Sequence, residues 1–278
     1  MKLSRRYFFT DKVIPYTILF IIGAVFLLPL IWVVLASIDP NASVMLSLPA
    51  KPTLENYASV IAKDDNRRAF GIGLVISLAE TLLVILCTCL AAYPLSRYQM
   101  RHKRLLMYSL LFMTSLPITA VMVPVYEEFV ALRLYDNLFG VILFMTASAL
   151  PYGIWMMKNF MDSIPVELEE AAWVDGATPF VSLVKVILPL MMPGICTVAI
   201  FTFSGSWGNF FVPFILLTTA QKLPASVQLY QFFGQHGLIA YGPLAAYSIL
   251  YAFPSVILYL LSQSFMSKGF SMQGATKG

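Results

Sequence analysis

Charge is what this chain has least of. Asp, Glu, Lys and Arg make up 12% of its 278 residues against 59% hydrophobic ones, and the mean hydropathy is +0.79. Soluble domains carry about 25% charged residues, so a water-soluble globule is excluded and a membrane protein is indicated. Histidine is nearly absent too: His102 sits in a basic stretch and His236 in an uncharged one, and neither has metal-ligand company. The three cysteines, Cys87, Cys89 and Cys196, lie inside apolar runs, where thiols act as small packing residues and imply neither a disulfide framework nor a metal site. No Gly-x-x-x-x-Gly-Lys-Ser/Thr phosphate loop occurs, so this chain is expected to be neither an enzyme nor a nucleotide binder. A net charge of +4 is too small for a nucleic-acid surface and suits loops that face a membrane.

What is there is a series of long apolar runs. A span needs ~20 predominantly apolar residues to cross the ~30 Å hydrocarbon layer. Runs at about 13–38, 69–95, 105–126, 138–158, 190–217 and 241–266 meet that length. The expected fold is an all-α polytopic membrane protein with six transmembrane helices in one domain, 1–278, both termini on one side. The first run is too long for a signal peptide and should be retained. Between the spans, 39–68 is expected to be an ordered loop ending in a helix, 127–137 an interfacial amphipathic turn, 218–240 a sizeable Gln-, Gly- and aromatic-rich loop, and 267–278 a polar tail.

Orientation follows from where the bases lie, because Lys and Arg are retained on the cytoplasmic side. With the N-terminus inside, 12 of the 18 Lys and Arg residues fall in cytoplasmic segments, led by the cluster Arg97, Arg101, Lys103 and Arg104. The segment 163–189 is then cytoplasmic, between the fourth and fifth spans. It holds Glu167, Glu169, Glu170 and Asp175, too polar to cross a bilayer, and it reads as two short helices. Pro165 suits a first helical position with Ser163 as its cap, and Glu167 falls in the dipole-favoured first turn. Asp175-Gly176 breaks the helix, Gly176 supplying a left-handed conformation. Thr178-Pro179 starts the second helix, and Pro189 marks a stop or kink. Ala171 and Ala172 form a small-residue patch open to close approach.

Glu170-Ala171-Ala172, three residues, Gly176, nine residues, Val186, one residue, Leu188-Pro189 resembles the coupling loop, the Glu-Ala-Ala signature, of importer-type ABC permeases. Ala91–Tyr98, Val123–Tyr126, Leu132–Asn137, Leu150–Tyr152, Phe160–Pro165 and Trp207–Pro213 are similar to the carbohydrate branch, the maltose-type second permease. Gly208 departs from that branch's usual Asn, and Pro94 stands where Ala is commoner. The resemblance implies a subunit of an ATP-driven importer in a bacterial or archaeal cytoplasmic membrane. Its implied partners are a second homologous permease, two ATPase subunits that bind ATP and Mg, an extracytoplasmic solute-binding protein, the sugar and membrane lipid, with no nucleic acid. It also implies that Glu170, Ala171, Ala172, Asp175 and Gly176 couple to an ATPase, Glu170 through a charge-assisted bond and Gly176 as the turn.

Three further groups carry candidate roles. Glu80 is the one carboxylate within the interior of a span, where such a group is expensive and faces a cavity or a partner. It reads as a pathway group, as a contact with the partner permease, or as a residue hydrogen-bonded within the bundle. On span five Phe203, Trp207, Phe210 and Phe214 form one helical stripe beside a more polar one, Thr202, Ser206, Asn209 and Pro213. Together they offer a sugar both ring stacking and hydrogen bonds; close helix packing around Gly205 and Gly208 is the competing reading. In 218–240, Tyr230, Phe232 and Phe233 with Gln228, Gln231 and Gln235 suit contact with the binding protein, unless that loop lies at the lipid interface. Rival functions are an ABC permease for glycerol-phosphate or a polyol, disfavoured by the lack of Lys and Arg within the spans, and an ATP-independent secondary carrier. One lone carboxylate makes a poor proton relay.

Overall fold

The computed structural model describes residues 13–233 and 239–275, with side chains to residue 263, and all regular structure among them is helical. In chain order these are α1 (Ile14–Ser37), α2 (Glu55–Ala62), α3 (Asp64–Arg97), α4 (Lys103–Met113), α5 (Ile118–Ala131), α6 (Leu138–Asp162), α7 (Glu167–Val174), α8 (Pro179–Leu190), α9 (Met192–Trp207), α10 (Phe211–Leu216), α11 (Ala225–Tyr230) and α12 (Tyr241–Ala275). Among the described residues four helices are long and apolar enough to cross a membrane, α1, α3, α6 and Tyr241–Gln263 of α12. The number rises to six if each of two bent pairs is one span: α4 with α5, bent by 92°, and α8 with α9, bent by 76°.

The bends correct two expected spans. The run 105–126 is not one helix: α4 stops at Met113 and α5 starts after Pro117, whose φ of −67° and ψ of 126° place it outside both. Proline removes an N–H and pushes the residue before it out of the α region, so an unbroken apolar run still breaks here. The run 190–217 is also divided, since α9 ends at Trp207 and α10 starts at Phe211. Three smaller expectations change as well. Residues 127–131 finish α5 and are not a turn. The kink assigned to Pro189 falls at Met191, and a π-helical turn over Leu183–Ile187 precedes the proline, whose missing N–H leaves the Lys185 carbonyl without its normal donor. The last helix continues past residue 266 to Ala275. Lys2, Arg5, Arg6, Lys12, Gln235, His236 and Lys277 lie outside the described residues.

The chain divides into two compact units. One comprises the chain up to Asn66 with Leu229–Ala252. Its centre is Asn56, whose Nδ2 donates to the carbonyls of Ser37 at 3.1 Å and Asp39 at 2.9 Å. The start of α12 crosses this amide so closely that a Cβ on Gly242 would stand 2.6 Å from Asn56 Nδ2, which leaves room only for glycine.

The second unit comprises Arg67–Gln228 and the chain from Phe253 onward. Its core is two apolar clusters that share α3 and α6, the first completed by α8 and α9 and the second by α5 and α10. One gathers Val84, Tyr93, Met157, Met161, Ile187 and Val198. The other gathers Ile76, Met122, Phe129, Val141, Met145 and Val212. On α3, Ile76, Glu80 and Val84 follow at steps of four, one face of a helix, so Glu80 stands at the junction of the two clusters.

Candidate functional site

At that junction the core opens into a cavity of about 320 Å³. Glu80 enters it from α3, Ser148 and Tyr152 from α6, and Thr202, Ser206 and Asn209 from α9 and the residues after it. Phe201 with Met145, Ala149 and Ile118 supplies the apolar wall. Tyr152 and Phe201 meet edge to face with ring centroids 6.3 Å apart. Glu80 is 4% exposed and Ser206 6%, yet Glu80 Oε2 and Ser206 Oγ have no hydrogen-bond partner. The Ser206 hydroxyl lies beside the carboxyl without a hydrogen bond of good geometry. Buried polar groups are nearly always paired; Ser77, Thr146 and Ser182 hydroxyls are also unpartnered, but only Glu80 and Ser206 face this cavity.

The two stripes of span five part company here. Ser206 and Asn209 from the expected pathway set line the cavity with Glu80, whereas Phe203, Trp207 and Phe210 do not. Phe203 and Trp207 stack on each other, 6.1 Å apart and 6° from parallel, and both are buried. Trp207 lies against Gly73 of α3, where a Cβ would come within 3.0 Å of its ring. Close approach through a small residue is how membrane helices pack, which agrees with the packing reading of this stripe. Phe210 follows the end of α9 and stacks on Phe214 at 4.8 Å. Asn209 Oδ1 accepts from Val212 N at 3.1 Å, which holds the break between α9 and α10.

The polar segment 163–189 is a helix hairpin. Ser163 does not cap α7: its hydroxyl donates to Phe160 O and it terminates α6. Helix α7 begins at Glu167, two residues after Pro165, with no side-chain cap. Gly176 has φ +87°, the left-handed region that glycine enters at least cost, and Asp175 is the C-cap before it. Thr178 caps α8 by accepting from Val181 N at 3.3 Å. Glu170, Ala171, Asp175 and Gly176 are exposed and Ala172 partly so. Around them Leu168, Trp173 and Val174 present apolar surface, Val174 at 88% exposure.

Glu169 behaves oppositely to its neighbour, and sequence reasoning missed it. Its Oε2 accepts from Arg97 Nε at 2.8 Å, with side chains 6% and 1% exposed, and its Oε1 accepts from the Tyr93 hydroxyl. Arg97 also donates to Ile164 O at 3.2 Å. One step away, Ser96 Oγ donates to Asp162 Oδ1 at 2.6 Å. The end of α3 is thereby latched to the corner between α6 and α7. The only signal in the sequence was Arg97, placed in a basic cluster and otherwise unremarked.

A second overlooked group is Asp136, in the turn before α6 with φ 51°. It accepts from Thr218 N at 2.9 Å, Thr219 N at 3.0 Å and Lys222 Nζ at 2.8 Å. Desolvation opposes its ionisation, but the hydrogen bonds from Lys222 and Thr219 outweigh it and hold the carboxyl well below the usual range. In the Gln-rich segment, Gln228 is buried at 9% exposure. Tyr230, Gln231 and Phe233 are exposed, and Phe232 packs on Tyr247 at 4.9 Å.

Among known proteins, this chain is 31% identical over 255 residues to the trehalose transport system permease protein SugB of Mycobacterium tuberculosis, covering 91% of this chain and 93% of that protein. It is 29% identical over 273 residues to the trehalose/maltose transport system permease protein MalG of Thermococcus litoralis, covering 94% and 97%. The fold matches a chain of a bacterial ABC transporter involved in the import of the acidic polysaccharide alginate, with a TM-score of 0.82 and 22% identity over 93% of this chain and 97% of that one. A family profile described as binding-protein-dependent transport system inner membrane component matches residues 84–267, which include Glu80's neighbouring turn, the cavity-lining parts of α6 and α9, and the whole hairpin. This chain therefore belongs to the family of binding-protein-dependent transport system inner membrane components.

Proposed function

We infer that this chain is a membrane-spanning permease subunit of an ATP-driven ABC importer, and that its cargo is a sugar or oligosaccharide delivered by an extracytoplasmic binding protein. The observation that carries this is the family match over 84–267 together with trehalose and maltose permeases as relatives along nearly the whole chain. The complete transporter holds this chain, a second homologous permease, two ATPase subunits that bind ATP and Mg, and the binding protein. Counting α4 with α5 as one span and α9 with α10 as another gives six, with the hairpin 163–189 and both termini on the cytoplasmic side, as the distribution of Lys and Arg favours.

In this reading α7 is the lever. Its exposed face, Glu170 and Ala171 with Leu168, Trp173 and Val174 around them, suits a cleft on an ATPase subunit. Glu170 would make a charge-assisted hydrogen bond there, stronger than a neutral one. The buried Arg97–Glu169 pair would turn movement of the hairpin into movement of α3, the helix that carries Glu80. Rigid-body motion passed through a packed interface is a standard switching device. Tyr230, Gln231 and Phe233 remain exposed for contact with the binding protein. Against a phosphorylated cargo stands the cavity lining, which includes a carboxyl and no Lys or Arg.

The test is uptake. The chain is co-expressed with candidate partner permease, ATPase and binding-protein subunits, reconstituted in proteoliposomes, and supplied with labelled trehalose or maltose. ATP-dependent accumulation that requires the binding protein is the expected result; accumulation without the ATPase subunits would instead mark a secondary carrier.

A further inference from the structure

Glu80 is out of place for packing. It occupies the face of α3 that carries Ile76 one turn before it and Val84 one turn after it, each in the heart of an apolar cluster. An aliphatic side chain there would join the two clusters. Instead a carboxyl is 4% exposed with Oε2 unpartnered, in a segment apolar enough to span a bilayer, where such a group is costly and functional by default. It faces an opening of about 320 Å³. A second orphan, Ser206 Oγ, faces the same opening from α9, and a Cβ on the neighbouring Gly205 would meet no atom within 4 Å.

We propose that this cavity is a saccharide site belonging to this subunit, which holds one neutral, polyhydroxylated ring with its hydroxyls on Glu80 and Ser206 and its carbon face on Tyr152 and Phe201. The chemistry of the lining selects such a ring. A carboxyl can accept from sugar hydroxyls and, when protonated, donate to one, and a serine hydroxyl both donates and accepts. The aromatic pair supplies an apolar wall of ring size. Small-molecule pockets span ~300–1,000 Å³, and about 320 Å³ leaves room for a sugar ring. Since the lining includes no base, a phosphate, sulfonate or uronate would be buried there with no counter-charge to offset it. Water alone could also satisfy both orphans, and the experiment separates the two cases.

The proposal rests on the sugar-import reading but has its own readout. The intact transporter in proteoliposomes is treated with dicyclohexylcarbodiimide, which modifies carboxyls in apolar surroundings, and the adduct on Glu80 is followed by peptide mass spectrometry, with Glu80→Gln marking the background. Trehalose, maltose, cellobiose and glucose are compared as protectants with glucuronate and glucose 6-phosphate. At least one neutral saccharide is expected to slow labelling of Glu80 fivefold or more, and the anionic sugars to leave it unchanged. In uptake, Ser206→Ala and Thr202→Val are expected to raise the half-saturation concentration of the cargo at least threefold with unchanged protein level. Equal protection by the anions, or none by any neutral saccharide, overturns the proposal and leaves a water-filled cavity. Failure of Glu80 to label at all also overturns it, because a carboxyl lining an open path must be reachable. If wild-type transporter takes up none of these sugars, the importer reading fails on that measurement, independently of protection at Glu80.

Discussion

Arg97 Nε lies 2.8 Å from Glu169 Oε2, both side chains nearly excluded from solvent, and this contact joins the longest described helix of the second unit to the hairpin helix α7. The adjacent Glu170 is exposed. Two consecutive glutamates in one family signature thus do different work: one anchors the hairpin to its own subunit while the other is presented outward.

Removing one partner of a buried ion pair leaves the other charge uncompensated, at a cost of about 3–5 kcal/mol. Glu169→Ala should therefore lower the thermal midpoint of the purified transporter sharply, and Arg97→Met should do the same. The double variant should be less destabilised than the two single effects added together. Glu170→Ala should leave the midpoint near wild type and reduce sugar-dependent ATP hydrolysis. Simple additivity in the double variant would show that Arg97 and Glu169 act independently.

Gly176 has φ +87°, and a β-branched residue in the left-handed region costs on the order of 1–2 kcal/mol. Gly176→Val should insert and assemble at near-normal levels yet transport poorly, because α8 would leave the turn at a different angle. Uptake normalised to membrane protein decides it; wild-type rates would remove the turn from the coupling role.

Ala171 is exposed at the middle of α7. A cysteine there should crosslink to a cysteine in an ATPase subunit and react only with reagents admitted from the cytoplasmic side. Gln231→Cys should react only from the outside. The opposite pattern of labelling would invert the topology and with it the proposed coupling.

Asp136 ties the turn before α6 to Thr218, Thr219 and Lys222. Its carboxyl is held below the usual range, so its contribution to stability is fully present above the unfolded value of ~3.9 and is lost as pH falls toward the folded value. Asp136→Asn keeps a side chain that tolerates φ 51° but loses charge-assisted bonds worth about 1.5–3 kcal/mol each at most. The variant should be less stable than wild type at pH 7, and the gap should narrow as pH is lowered through 4 toward 2. A constant gap across that range would show that the charge does not matter.

Much of this protein was legible along the chain because it depends on neighbours a few residues away. Apolar runs long enough for a bilayer announced α1, α3, α6 and α12. Gly176 as the turn and Thr178 as a cap followed from backbone geometry and short side chains within three or four residues. The outcomes that needed the tertiary structure are those in which the chain alone offers equal choices. Along α9 nearly every residue is apolar or small, so the helical period defines two stripes without saying which faces α3 and which faces a cavity; contact of Trp207 with Gly73 settles that. Glu169 and Glu170 are identical in type, and only Arg97, 72 residues away in sequence, makes one of them the buried partner. Gln228 reads as a surface residue, and only the folded chain buries it. Pro117 and Pro189 were visible as prolines, but a bend of 92° or 76° depends on what each helix end packs against. Local rules act through bonds and turns, whereas burial is decided by whichever distant surface arrives.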